Sequence, residues 1–211
     1  MCIRDSFACC GLPAAGYGDL ASARNLAKQN IDLARKLDVD AIVTPCASCS
    51  SFLRDYGKLL ADEPEWSEKA RGFVDKVKDF SEFLVDIGLV TEMGAVKKKI
   101  TYHDPCHLSH HQKIKEPPRT ILKSIPGVEF VELGEADMCC GAAGTYAFKN
   151  YDLSMKVLDR KMNNVAKTGA DILVSSCPAC VMQLSLGVRQ RKLPVTVLEI
   201  TEILDRAYRT G

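Results

Sequence analysis

The sequence contains no apolar run approaching the roughly 18 residues a membrane-spanning helix needs. Its first residues also lack the charged-then-apolar order of a signal peptide. These absences predict a cytoplasmic chain whose contact with a membrane is at most peripheral. Neither sign of charge dominates: Lys+Arg 28 against Asp+Glu 27 leaves a net charge of +1, so there is no electrostatic footprint for nucleic acid or anionic lipid. Phosphate loops, nucleophile triads and dinucleotide fingerprints are missing too, and Gly141-Ala-Ala-Gly144 is too short to serve as one. A flavin or nicotinamide would therefore sit on a partner. The remainder is ordinary globular composition, 46% hydrophobic and 26% charged over 211 residues, enough for one large domain or two small ones.

What stands out is cysteine: Cys2, Cys9, Cys10, Cys46, Cys49, Cys106, Cys139, Cys140, Cys177 and Cys180. A cytosolic chain keeps thiols reduced, and ten in 211 residues is sparse for a disulfide scaffold. Metal binding or redox chemistry therefore moves ahead of stapling. Thiols that merely fill a core would not sort into adjacent pairs and C-x-x-C pairs.

The pairs recur. Cys9-Cys10-Gly11 returns 130 positions later as Cys139-Cys140-Gly141, and Cys46-x-x-Cys49 returns 131 positions later as Cys177-x-x-Cys180. Asp40-Ala-Ile-Val43 answers Asp171-Ile-Leu-Val174, and Val77-Lys-Asp-Phe-Ser-Glu-Phe-Leu84 answers Val197-Leu-Glu-Ile-Thr-Glu-Ile-Leu204 at an offset of 120. The shortened offset predicts about eleven additional residues in the first half, around Ala61 to Arg71. The second half opens on Ile100-Thr-Tyr-His103 before Asp104-Pro-Cys106, a segment whose counterpart falls before residue 1. The arithmetic predicts a chain that begins inside its first repeat, with Met1 to Ser6 outside the native pattern, Cys2 an unpaired surface thiol and the isolated chain prone to associate through the gap. The two repeats then occupy residues 1–93, N-terminally incomplete, and 94–211, complete.

Periodicity predicts an α/β fold: tandem βα repeats with mostly parallel sheets. In the second repeat we read strands at Lys99 to His103, Glu129 to Leu133, Asp171 to Ser175 and Val195 to Leu198. Helices lie at Pro117 to Ile125 and Leu153 to Thr168, with a short one after Cys180 and another at the C-terminus. The first repeat shows a helix at Ala23 to Leu37 and a strand at Ala41 to Thr44. A linker spans Ile87 to Lys99, and its lysine run reads as a solvated strand entry. Cys106, Cys139-Cys140 and Cys177-x-x-Cys180 each follow a strand, and the carboxyl-end loops of an open parallel sheet meet at one crevice. Five thiols exceed the four places of a zinc site, whereas an iron-sulfur cluster accepts Cys-only ligation with a thiol to spare. A cluster is thus favoured over zinc or a thiol/disulfide site.

The order Cys106, Cys139-Cys140-Gly141, Cys177-x-x-Cys180 resembles the cysteine-rich CCG domain of the heterodisulfide reductases and their relatives. Tyr102-His-Asp-Pro-Cys-His-Leu108, Ile125-Pro-Gly-Val128, Glu132-Leu133 and Asp137-Met-Cys-Cys-Gly-Ala-Ala-Gly-Thr-Tyr146 are more specifically similar to the iron-sulfur subunits of glycolate oxidase. The resemblance implies a 4Fe-4S cluster, noncubane in the heterodisulfide reductases, on Cys106, Cys139, Cys140, Cys177 and Cys180. It implies a corresponding set in Cys9, Cys10, Cys46 and Cys49. It also implies electron transfer from a flavoprotein dehydrogenase that oxidises a 2-hydroxy acid, toward an acceptor such as quinone; the more distant likeness implies cluster-based disulfide reduction instead. Relatives carry an upstream ferredoxin-like iron-sulfur module, which this sequence lacks and which would lie on the same full-length chain or on another. Many relatives also replace a cysteine of the final C-x-x-C, which here is intact.

All four histidines, His103, His107, His110 and His111, surround Cys106. His103 and His107 are candidates to hydrogen-bond cluster sulfur or to take a proton on reduction, His107 being the preferred one; His110 and His111 read as loop caps. Asp104-Pro105 sets the turn that presents Cys106. Glu82 and Glu202, each following a Ser or Thr, read as helix-capping residues.

Overall fold

The computed structural model describes residues 7–90 and 92–209. The expectations for Met1 to Ser6, Cys2 included, lie outside the described residues. The chain divides into one unit that runs to Thr44 and resumes over Ser48–Asp79, and a second made of Pro45–Ala47 and everything from Phe80 onward.

In the first unit, α1 (Leu12–Gly16) leads into α2 (Leu20–Leu37), then β1 (Ile42–Thr44), α3 (Ala47–Arg54), α4 (Tyr56–Leu59), α5 (Pro64–Val74) and β2 (Val77–Asp79). Asp19 starts α2 by accepting the Ser22 N–H at 3.0 Å, and Arg35 and Lys36 complement the helix dipole in its last turn. Ala23, Ala27, Ile31 and Ala34 recur at helical spacing and are buried. They face a core in which Tyr56 stacks on Phe73 at 5.3 Å and meets Phe52 edge-on at 6.0 Å. Strands β1 and β2 pair in parallel, Val43 opposite Lys78. Helix α5 is the additional stretch expected near Ala61 to Arg71; the second unit has no helix between the corresponding elements.

The second unit runs α6 (Phe80–Ile87), β3 (Lys98–His103), a π-helical turn (His107–His111), α7 (Glu116–Ser124), β4 (Val128–Phe130), α8 (Tyr146–Lys149), α9 (Tyr151–Thr168), β5 (Ile172–Ser175), α10 (Pro178–Arg191), β6 (Thr196–Glu199) and α11 (Ile200–Arg209). Its four strands are all parallel in the order β4-β3-β5-β6. The chain therefore winds one way from β3 to β4 and the other way through β5 to β6, and the switch point lies between β3 and β5. Both faces are covered, so β5 reads as an unbroken apolar run. Ile172 and Val174 pack into a core with Ile100, Tyr102 and Leu198, while Leu173 enters another with Leu158, Met162 and Leu184.

Most element boundaries shift by one to three residues from the sequence-based expectation; two of these shifts change how an element reads. The helix expected after Cys180 begins at Pro178 and lasts 14 residues, because proline is well suited to a first helical position and Cys177 precedes it in extended conformation. Strand β4 starts at Val128 and stops at Phe130. Glu202 accepts the backbone N–H of Glu199 at 2.8 Å, as expected of a capping residue.

Candidate metal centre

The carboxyl ends of β3 and β5 flank the switch point, and the cysteines follow them. His103 and Ser175, the last residues of the two strands, are register partners, and the Ser175 hydroxyl donates to the His103 carbonyl at 3.3 Å. Because Ile100 and Tyr102 face one core, His103 points to the opposite face of the sheet, where Cys140, Cys177 and Cys180 are buried.

All five thiols of the second repeat meet there. Cys139 and Cys180 donate to the Cys140 sulfur, which is held well below the ordinary thiol range first by Cys139, then by Cys180. The donors are raised in turn, Cys139 by holding its proton toward Cys140 and Cys180 by Cys140 and then Cys177. Cys106 is pushed up by burial and then by the charges of Cys140 and Cys177. The neighbouring S–H groups thus favour negative charge on Cys140 over their own ionisation. Cys177 caps α10 and Cys180 lies in its first turn, so the positive end of the helix dipole faces the thiols.

The first unit repeats the pattern on a smaller scale. Cys10 is lowered to about 6, chiefly by donation from Cys49 and with a further contribution from Cys9. In both units, therefore, the second cysteine of the adjacent pair accepts from the last cysteine of the C-x-x-C. Cys46 is half-buried and belongs to the Pro45–Ala47 stretch grouped with the second unit, where the Ala47 N–H donates to the Ser176 carbonyl at 2.9 Å. No disulfide joins any of the nine described cysteines.

The adjacent pairs are held by equivalent devices. Gly11 and Gly141 adopt φ of +95° and +94°, each with its N–H directed at the sulfur two residues earlier. A Cβ on Gly141 would meet the carbonyl oxygen of Ser154 at 2.6 Å and Gln183 Nε2 at 3.3 Å; on Gly11 it would meet Ala23 and Phe52, which stand at the corresponding positions. The second unit adds a polar brace in which Gln183 donates to Ser154 Oγ and the Ser154 hydroxyl donates to the Gly141 carbonyl at 2.8 Å. The approach to each pair is held from the following helix. Asn30 accepts from Ala8 N–H and donates to the Cys9 carbonyl and to Tyr56, whose hydroxyl reaches the Cys10 carbonyl. Lys161, at the equivalent place in α9, donates to the carbonyls of Glu135 and Ala136. Burial lowers the Lys161 ammonium, and the Cys140 charge opposes that shift.

Asp104 and Pro105 lead from β3 into the turn at Cys106, the Pro105 carbonyl accepting from the Leu108 and Ser109 N–H groups, and the Asp104 carboxylate is clamped from α7. Arg119 donates to Asp104 Oδ1 and Oδ2 at 2.9 and 2.8 Å, to Glu132, and to the Lys115 carbonyl. These bonds raise its guanidinium, the Asp104 pair first. The His110 ring shares a hydrogen bond of 2.9 Å with the Asp137 carbonyl, and Lys115 pairs with the Asp137 carboxylate. His107 opens the π turn and is half-buried.

His103 is fully buried with no nitrogen or oxygen partner for either ring nitrogen, and it stands against the Cys140 sulfur, whose thiol it helps to lower after Cys139 and Cys180. Its ring, Cys140 and Cys180 place their ligand atoms within 4.8 Å of one another. A buried orphan imidazole beside crowded thiols suits a soft metal or iron-sulfur group, whose binding would satisfy both.

A parallel α/β unit that gathers five thiols on the loops beyond its strands is a CCG-type cysteine-rich domain, and the family described as "Cysteine-rich domain" matches residues 2–54 and 100–185, the first segment being the shorter. The chain belongs to this family. Over 204 residues it is 43% identical to the "Probable glycolate oxidase iron-sulfur subunit" of Bacillus subtilis (strain 168), covering 95% of this chain and 46% of that protein. It is 34% identical over 204 residues to "Lactate utilization protein A" of Oceanobacillus iheyensis, and 31% over 202 residues to the protein of that name from an Exiguobacterium strain, spanning 82% of each. The chain thus spans less than half of the first relative and about four fifths of the others. Among the described residues, no helix is long and apolar enough to cross a membrane.

Proposed function

We propose that the chain is an iron-sulfur electron-transfer subunit of a system that oxidises a 2-hydroxy acid of the glycolate or lactate type. The observation that carries this reading is the convergence of Cys106, Cys139, Cys140, Cys177 and Cys180 at the switch point of a parallel sheet. Those five residues would hold a 4Fe-4S cluster, of the noncubane type in this reading, and Cys9, Cys10, Cys46 and Cys49 would form the corresponding set of the first repeat. When bound, such a cluster supplies a one-electron store whose potential responds to charge and hydrogen bonding around its sulfurs. The chain's own residues hold the loops in place: Arg119 fixes the turn before Cys106, Lys161 the approach to Cys139, and Gly141 the turn after Cys140. Electrons would arrive from a flavoprotein dehydrogenase and leave toward an acceptor such as quinone. A ferredoxin-like iron-sulfur module, on the same full-length chain or another, would extend that path in the cytoplasm or at the membrane periphery. The names of the relatives, a glycolate oxidase iron-sulfur subunit and lactate utilization proteins, support the assignment.

The test is anaerobic reconstitution of the chain with iron and sulfide, followed by iron and sulfide counts, an absorption spectrum and reduction by a 2-hydroxy-acid dehydrogenase flavoprotein. A coloured iron- and sulfide-containing protein reduced by that partner is expected. A colourless zinc protein, or turnover on disulfides without a flavoprotein, would overturn the assignment.

A further inference from the structure

The imidazole of His103 is fully buried in a protein interior where polar groups are almost always paired, yet neither ring nitrogen meets a nitrogen or oxygen partner, and the ring stands against the Cys140 sulfur instead. It is the last residue of β3, held in register with Ser175 on β5, so the strand pair that forms the switch point also fixes where the ring stands. From there a ring nitrogen, Cys140 Sγ and Cys180 Sγ lie within 4.8 Å of one another, close enough to share one metal ion.

We propose that His103 is a metal ligand, giving the second unit a mixed nitrogen and sulfur donor set. This rests on the metal-binding part of the function proposed above. A neutral imidazole adds a donor without adding negative charge, whereas a further thiolate would add one and lower the reduction potential. Cys140 and Cys180 share the metal with the ring; the remaining thiols complete the donor set.

Two measurements on the full chain test this. In the first, protein labelled with nitrogen-15 at histidine alone is reconstituted anaerobically with iron and sulfide, reduced to a paramagnetic state and studied by pulsed electron paramagnetic resonance. A strong coupling from a directly bound nitrogen is expected, lost in His103→Gln and kept in His107→Gln. A protein with its iron and sulfide in place that shows only the weak couplings of nearby nitrogens overturns the proposal, as does a strong coupling that survives His103→Gln. If His103→Gln fails to fold, a strong coupling that survives in His107→Gln, His110→Gln and His111→Gln assigns it to His103, and its absence from the wild type overturns the proposal. In the second, the metal-free protein is titrated with cobalt(II) and followed by absorption. His103→Gln should weaken binding at least about tenfold, and unchanged affinity overturns the proposal. Cobalt binding that depends on His103 in a protein that takes up no iron and sulfide would sink the iron-sulfur assignment while leaving His103 a ligand.

Discussion

The Cβ that Gly141 lacks would sit 2.6 Å from the carbonyl oxygen of Ser154, closer than side-chain carbons approach backbone oxygens. The turn after the second adjacent pair is therefore closed to any side chain, both by its φ of +94° and by the helix against it. Gly141→Ala should cost about 2–3 kcal/mol in urea unfolding. Gly11→Ala, whose nearest contacts are 3.3 Å, should cost less. Equal losses would show that φ alone sets the penalty.

Arg119 clamps a carboxylate that is itself almost fully buried, the side chains being 11% and 3% exposed. Arg119→Ala leaves the Asp104 charge without its counter-ion and should destabilise the second unit by about 3–5 kcal/mol. Arg119→Lys should recover only part of this, since a point charge cannot satisfy Asp104 and Glu132 together. Chemical denaturation of the metal-free protein reads both variants, and full recovery by lysine would argue against the fork geometry.

In the reduced, metal-free protein Cys10 should ionise near pH 6, and the thiolate absorbance should show a step there that moves upward in Cys49→Ser. The folded value lies below the ordinary 9.0, so the folded state binds fewer protons than the unfolded chain between those limits. This contribution to stability is complete above pH 9, declines as pH falls toward 6 and is absent below it. A first unit whose stability is flat across that window would show that Cys49 does not donate to Cys10 in solution.

Loading should be unequal between the repeats. Five thiols and the His103 ring converge in the second repeat, whereas in the first the Cys10 thiol interacts with Cys49 and Cys9. Cys139→Ser or Cys140→Ser should remove most of the iron bound after anaerobic reconstitution, and Cys9→Ser should remove less. Equal losses would mean that the two repeats hold metal alike.

The scaffold of the site is open to reading because it is written in periodicity. Val157, Leu158, Met162 and Val165 mark α9, the run Ile172 to Val174 marks a strand covered on both faces, and the recurrence of paired cysteines shows the duplication before any coordinates. The braces are not legible in this way. Arg119, Lys161, Ser154 and Gln183 sit on helices where a polar residue ordinarily means solvent, and only the fold turns them inward. Helix α10 looks shorter in the sequence than it is because it packs from several directions: Gly187 lets Met162 and Leu158 close against it, so no single apolar stripe marks its course. Repeat arithmetic aligns Lys161 with the place where Asn30 stands, but an amide and an ammonium do not look like equivalents until both are seen holding the chain before a cysteine pair.

Strands β3 and β5 are neighbours in the sheet, although β4 and three helices intervene between them in the chain. Cys106 and Cys177, about seventy positions apart, therefore meet only after a long loop has closed, with an entropic cost that grows with the logarithm of its length. A chain still open at that point has no site to offer. Anything bound across these loops selects the molecules that have finished folding and draws the population toward them by mass action. The winding that delays assembly of the sheet thereby turns its occupant into a clasp, whose binding energy is added to the closed form.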